Sequence, residues 1–298
     1  MSATTHVEIY RPFKGTIKRF PLRPLVLAWS GVRLGFRKKL PAFFLFTPPA
    51  IVALVYAIRV HLMFTFQEQA SEADGMPVMA AAQLSNVLGN VARNIFEFMV
   101  VVRFFALLAI TWYGSALIAD DKRLGANLLY FSRPLTRAGY MLGKLLSAMV
   151  FGSCAVLLPV MLICAQASLS SPDWSFLKEE WPLILKAFAF SILWVFVVSC
   201  IVLSISSLVK RRTMALSMVF GVIFVLHGMS QVAAEITGNG VWGLASLFTN
   251  FSAIADQWFD QPTTAVWDVE ASYWVLTLIT LGSLFLLSRS VKRMEVVA

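Results

Sequence analysis

"LIADDKRLGANLLYFSRPLTRAGYMLGKLL", residues 117–146, breaks a strongly apolar chain with a dense group of charges. Asp120, Asp121, Lys122, Arg123, Arg133, Arg137 and Lys144 stand in it, punctuated by Gly125, Pro134, Gly139 and Gly143. The flanks decide the fold. Residues 96–119 before the patch and 142–167 after it are predominantly apolar. Each run is long enough to cross a hydrocarbon core of about 30 Å as a helix. A charged break between two such runs is a loop in water that joins two spans.

Working outward, further apolar runs occupy 41–60, 183–209, 213–235 and 273–288, for six spans in all. Composition agrees. The chain has 298 residues, 58% hydrophobic and only 14% charged, against about 25% charged in soluble domains. Mean hydropathy is +0.75. The short apolar–polar alternation of a membrane barrel is absent. The expected fold is therefore all-α: a polytopic membrane protein with six transmembrane helices. Residues 1–40 form a cytoplasmic segment and 41–298 the transmembrane domain.

The connecting segments sort by charge. Residues 1–40, the quoted patch, Lys210, Arg211 and Arg212, and the tail with Arg289, Lys292 and Arg293 are basic. The segments about 61–95, 168–182 and 236–272 carry the acids, among them Glu72, Asp74, Asp173, Glu180 and Asp268. Basic loops stay in the cytoplasm, which puts both termini there and the acidic segments outside. The net charge of +9 thus belongs to membrane orientation rather than to nucleic acid. No cleavable signal peptide is expected, because residues 1–40 hold no early apolar core. Cys154, Cys164 and Cys200 all lie in apolar runs and read as small buried hydrophobes.

Charges inside the spans fit the same frame. Arg59, Arg103, Lys186 and Glu235 all fall near the outer ends of their spans, where long side chains snorkel. Arg103 is the deepest, and lining a path or pairing with Glu97 are its alternatives. His227 lies deeper still, on the fifth span; it is either bonded to a neighbouring helix or functional. Before the first span, residues 24–40 read as an amphipathic interfacial helix. Leu25, Trp29, Val32, Phe36 and Leu40 share one face, while Ser30, Arg33 and Arg37 share another.

Catalytic motifs are missing. "GYMLGKL", residues 139–145, is a near miss for a phosphate loop: it has three residues between its glycines and Leu145 after the Lys. The phosphate loop requires four, followed by Ser or Thr. Neither HExxH nor GxSxG occurs.

Residues 114–148, "GSALIADDKRLGANLLYFSRPLTRAGYMLGKLLSA", resemble the signature region of ABC transporter permease subunits of the type-2 exporter class. The likeness rests on the Asp-rich start, a Gly, and the pattern SRP-x-x-R-x-x-Y-x-x-GK. Ser132, Arg133, Pro134, Arg137, Tyr140, Gly143 and Lys144 stand at its positions. The resemblance implies a cytoplasmic ABC ATPase dimer beneath two permease subunits, as a homodimer or heterodimer, in a bacterial cytoplasmic (inner) membrane. ATP and magnesium would be bound by that partner, and no cofactor by this chain.

The loop about 119–141 would carry the coupling helix, with Asp120, Asp121, Lys122, Arg123, Leu124, Leu128, Phe131, Arg133 and Arg137 as its contact residues. The helix before span one would touch the same ATPase. Short helices between spans five and six would dip back from the outer face; residues 241–259 suit that role, or equally an aromatic helix on the outer surface. The patch itself is compatible. Asp120 and Asp121 suit a helix start, and Leu124, Leu128 and Phe131 make an apolar ridge at helical spacing. Pro134 disfavours helix at Arg133. The rival functions are an ATP-independent anchor or carrier, and an intramembrane enzyme using His227 as its base.

The orientation is directly testable in a chain whose natural cysteines have been replaced. Single cysteines near Asp74, Asp173 and Asp268 should react with an impermeant thiol reagent applied outside intact cells. Cysteines near Lys122 and Lys292 should stay unlabelled until the membrane is opened. Labelling near Lys122 from outside would reverse the orientation.

Overall fold

The computed structural model describes residues 23–37, 39–72, 89–126, 130, 135–171, 174–263 and 265–296. Among them the secondary structure is helical, with no strand. Helix α1 (Arg23–Arg37) precedes α2 (Lys39–Glu72), α3 (Val91–Leu124) and α4 (Arg137–Ser170). A short α5 (Ser175–Glu179) leads to α6 (Trp181–Leu208) and α7 (Arg212–Thr237). A 3-10 turn (Gly240–Ala245), α8 (Leu247–Trp258) and α9 (Val269–Val296) complete the fold. Helices α2, α3, α4, α6, α7 and α9 are long and apolar enough to cross a membrane, so the six expected spans are present.

Local chemistry sets the helix ends. Asn90 caps α3 by accepting from the Arg93 N–H at 2.7 Å, and Thr136 caps α4 by accepting from the Gly139 N–H at 3.1 Å. These oxygens satisfy donors that have no partner inside the helix. Gly125, at φ 68°, closes α3 in the left-handed conformation and donates its N–H to the Asp121 carbonyl. Helix α3 therefore runs several residues beyond the expected end of its span at 119. Asp120 and Asp121 occupy its last turns rather than a helix start. That position opposes the helix dipole, so their charge has to be met from elsewhere.

Helix α6 is the axis, with most of its length enclosed by neighbours. Several of its serines spend their hydroxyls on its own carbonyls, as in Ser191 to Ala187 and Ser204 to Ile201. Those hydroxyls are thereby satisfied within the helix, whereas Ser199 Oγ and Trp194 Nε1 are buried with no hydrogen-bond partner among the described residues. Halfway along it stands fully buried Trp194, whose ring meets Phe251 of α8 edge-on at 4.6 Å and Phe248 at 5.8 Å. Trp194 lies about 20 Å from either end of α6. The segment between spans five and six thus re-enters the bundle to mid-depth rather than lying on its surface.

Helix α1 has a packed face besides its apolar one. Ala28 and Val32 are buried, while Leu25 and Trp29 are exposed. Three faces result. Ala28, Gly31 and Gly35 pack on the bundle, the exposed apolar side chains are free for lipid, and Arg33 and Arg37 point outward. The glycines permit this approach. A Cβ on Gly31 would lie 2.4 Å from Ser147 Oγ of α4, and one on Gly35 would lie 2.6 Å from the Tyr113 ring of α3.

Gly31→Val should therefore loosen α1 from α4 and lower stability by about 1–3 kcal/mol, the usual cost of overpacking. Thermal unfolding in detergent reads this. Val26→Ala, at an exposed position of the same helix, should leave the transition unchanged.

Candidate functional site at the charged end of the bundle

The α1 end collects the polar residues of the patch. Asp121 in the last turns of α3 and Lys144 in the second turn of α4 form an ion pair at 2.7 Å, with 14% and 8% of their side chains exposed. Tyr140 donates its hydroxyl to the same carboxylate oxygen, also at 2.7 Å. The Lys144 ammonium lies 5.5 Å from the ring centres of both Tyr130 and Tyr140. Burial and the charge of Asp121 raise the Tyr130 hydroxyl above its ordinary pKa, so it remains neutral. A buried charge is tolerated only when paired and hydrogen-bonded. The cluster meets that condition and ties α3 to α4.

Lys122 turns the other way. Its ammonium donates to the Ser207 carbonyl at the end of α6 and lies 3.3 Å from Ser290 Oγ on α9. Ser290 donates to that same carbonyl at 2.6 Å. One turn away, Ser206 Oγ accepts from the Ala119 N–H and donates to the Ser115 carbonyl, entering the backbone ladder of α3. Arg212, first residue of α7, lies over the Trp112 ring at 3.9 Å and donates to the Trp112 carbonyl at 2.9 Å. The end of α3 is thereby fastened to α4, α6, α7 and α9. A cavity of about 460 Å³, bounded by Leu34, Tyr113, Asp120, Lys144 and Arg212 among others, separates it from α1 and α2.

The expected contact residues accordingly divide. Asp121 and Lys122 point into the bundle. Asp120 pairs with Arg123 at 3.4 Å. Leu124 is 73% exposed, and Arg137 opens α4 at the surface. Leu128, Phe131 and Arg133 lie outside the described residues.

At the opposite end, Glu97 pairs with Arg59 at 2.8 Å and Arg93 at 2.9 Å, so Arg103 is not its partner. Arg103 instead donates to the Phe248 carbonyl at 3.3 Å and to Ser252 Oγ at 2.9 Å, pinning α8 to α3. His227 Nδ1 lies 2.7 Å from Ser246 Oγ. That hydroxyl is fully buried and also caps α8, accepting from the Thr249 N–H. The pair joins α7 to α8.

Sequence reasoning did not find the α1 seam or the partners of Asp121 and Lys122. The seam did leave a signal: Gly31 and Gly35 stand four residues apart, the spacing that lets helices approach closely in membranes.

A family model described as "ABC-2 family transporter protein" matches residues 37–256, which hold the first five spans, the ion-pair cluster and the re-entrant segment. No curated relative matches the chain.

Lys144→Met should leave the Asp121 carboxylate buried without its cation, at a cost of about 3–5 kcal/mol. Replacing both partners, Asp121→Leu with Lys144→Met, should recover most of that loss. Melting of the two single variants, the double variant and the parent in detergent completes the cycle. Additive losses would show that the two groups do not interact.

Proposed function

Because the chain belongs to the ABC-2 transporter family, we propose that it is the membrane permease of an ATP-driven exporter that borrows ATP hydrolysis from a separate cytoplasmic ATPase. The observation that carries this reading is the way α3 ends. Its last turns are fastened inside the bundle through Asp121 and Lys122, while Arg123 and Leu124 face outward beside the loop expected to carry the coupling helix. A force applied to that loop reaches α4, α6 and α9 through buried charge-assisted bonds rather than dissipating in a mobile tail.

In this reading the α1 end is cytoplasmic, which agrees with its excess of basic residues. The ATPase docks against the loop about 119–141, and α1 supplies Arg33 and Arg37 beside it. ATP and magnesium stay with the ATPase, and this chain supplies no catalytic group. Closure of the ATPase displaces α3 with α4 as one body and changes the passage between the spans. A second permease subunit completes the passage. Arg103 and His227 serve the far end by holding α8 in place.

The test is Leu128→Asp combined with Phe131→Asp. If that ridge fills a groove on the ATPase, buried unpaired charge should weaken association about thirtyfold or more, since an interface anchor commonly contributes about 2 kcal/mol. Insertion and thermal stability should be unchanged. Pull-down of the ATPase in detergent reads association, and transport in liposomes reads coupling. Normal association with normal transport would leave the loop as a plain connection and favour an ATP-independent carrier or anchor.

A further inference from the structure

The α1 end holds a second feature of opposite character to the ion-pair cluster. A cleft of about 640 Å³ opens where the ends of α3, α6 and α9 meet. Lys122, Lys210, Arg289 and Arg293 line it, and among the described residues none of the lining is acidic. Around Asp121 the protein meets each buried charge with its own counter-charge. Here four cations from three elements share one space with no acid among the described lining residues. Like charges so placed repel one another, and an anion in the cleft would relieve them.

The walls show which anion. Leu208 and Leu286 are part of the lining, so the cleft is continuous with apolar helix surface. On α9, Trp274, Leu278, Leu281 and Phe285 recur at helical spacing, each at least 59% exposed. Arg289 follows Phe285 by one further turn and is exposed on the same stripe. The stripe therefore ends in the basic cleft. An amphiphile with a phosphate in the cleft would lay its chain along Phe285 and Leu281.

We propose that this cleft binds the phosphate headgroup of an anionic glycerophospholipid, with an acyl chain on the exposed stripe of α9. Basic pockets between the ends of membrane helices suit such headgroups. Free inorganic phosphate shares the headgroup chemistry but makes no use of the stripe. The site stands apart from the transport reading, because its occupancy is measured without ATP, ATPase or substrate.

The experiment uses the full chain purified in detergent and titrated with phosphatidylglycerol, with bound lipid counted by native mass spectrometry. The double variant Arg289→Gln/Arg293→Gln should bind about thirtyfold more weakly, because each basic side chain near an anionic headgroup contributes about fivefold. Lys292→Gln removes an exposed charge from the same helix outside the cleft and should keep parental binding. All three proteins should melt alike, since the altered side chains are exposed. Four results would each overturn the proposal. Equal loss in Lys292→Gln would mean diffuse attraction. Equal binding of phosphatidylcholine would mean no recognition of anionic charge. Displacement of the lipid by inorganic phosphate would mean a site for a soluble anion. An unchanged lipid titration in the double variant, with loss of ATPase pull-down, would assign the cleft to an acidic protein surface instead.

Discussion

A carboxylate and an ammonium 2.7 Å apart, nearly shut off from water, fix the relation of the second and third spans. In apolar surroundings neither charge survives alone, so the pair admits one arrangement of α3 against α4. Tyr140 adds a hydroxyl to the same oxygen and leaves the carboxylate less able to seek another donor. Much else depends on this. With α3 held there, Lys122 reaches the ends of α6 and α9, and Arg212 reaches Trp112. The net cost of desolvating such a pair is high, and an apolar pair of similar volume would stabilise the bundle as well. What the charged version adds is a single register between two long and otherwise featureless helices.

The middle of the bundle solves the same problem with different means. There the main element is a bed of rings: Trp194, Phe190, Phe248 and Phe251 meet edge-on or tilted across α6 and α8. Arg103 acts as a strut, satisfying a carbonyl and a hydroxyl on the re-entrant segment. Aromatic packing adapts to small shifts, whereas a buried ion pair either holds or breaks.

The number and order of the spans were legible because a membrane helix needs a run of about 20 predominantly apolar residues. The patch was legible as a polar interruption for the same reason, and the likeness to ABC permeases lay in its Ser132–Lys144 pattern, several residues of which lie outside the described chain. Partners were not legible. The helical period says that Asp121 and Lys122 point in different directions but not which helix waits on each side. The aspartates looked like the start of a helix because two acids favour that position; the left-handed Gly125 placed the boundary later. Depth alone left Arg103 between snorkelling, lining a path and pairing with Glu97, because α8, which claims it, is itself ambiguous in sequence. The packed face of α1 was not legible, because Ala28, Gly31 and Gly35 carry no apolar signal of their own.

The junction at Ser207 has a meaning for biosynthesis. A ribosome delivers these helices to the membrane in order, so Lys122 is made first, the Ser207 carbonyl next and Ser290 last. When α6 enters, that carbonyl meets only the lysine; the serine hydroxyl arrives with the final span. The three-way contact closes only on a finished chain with every helix inserted the right way round. A product truncated before the last span keeps the lysine contact but lacks the serine, so the junction stays incomplete.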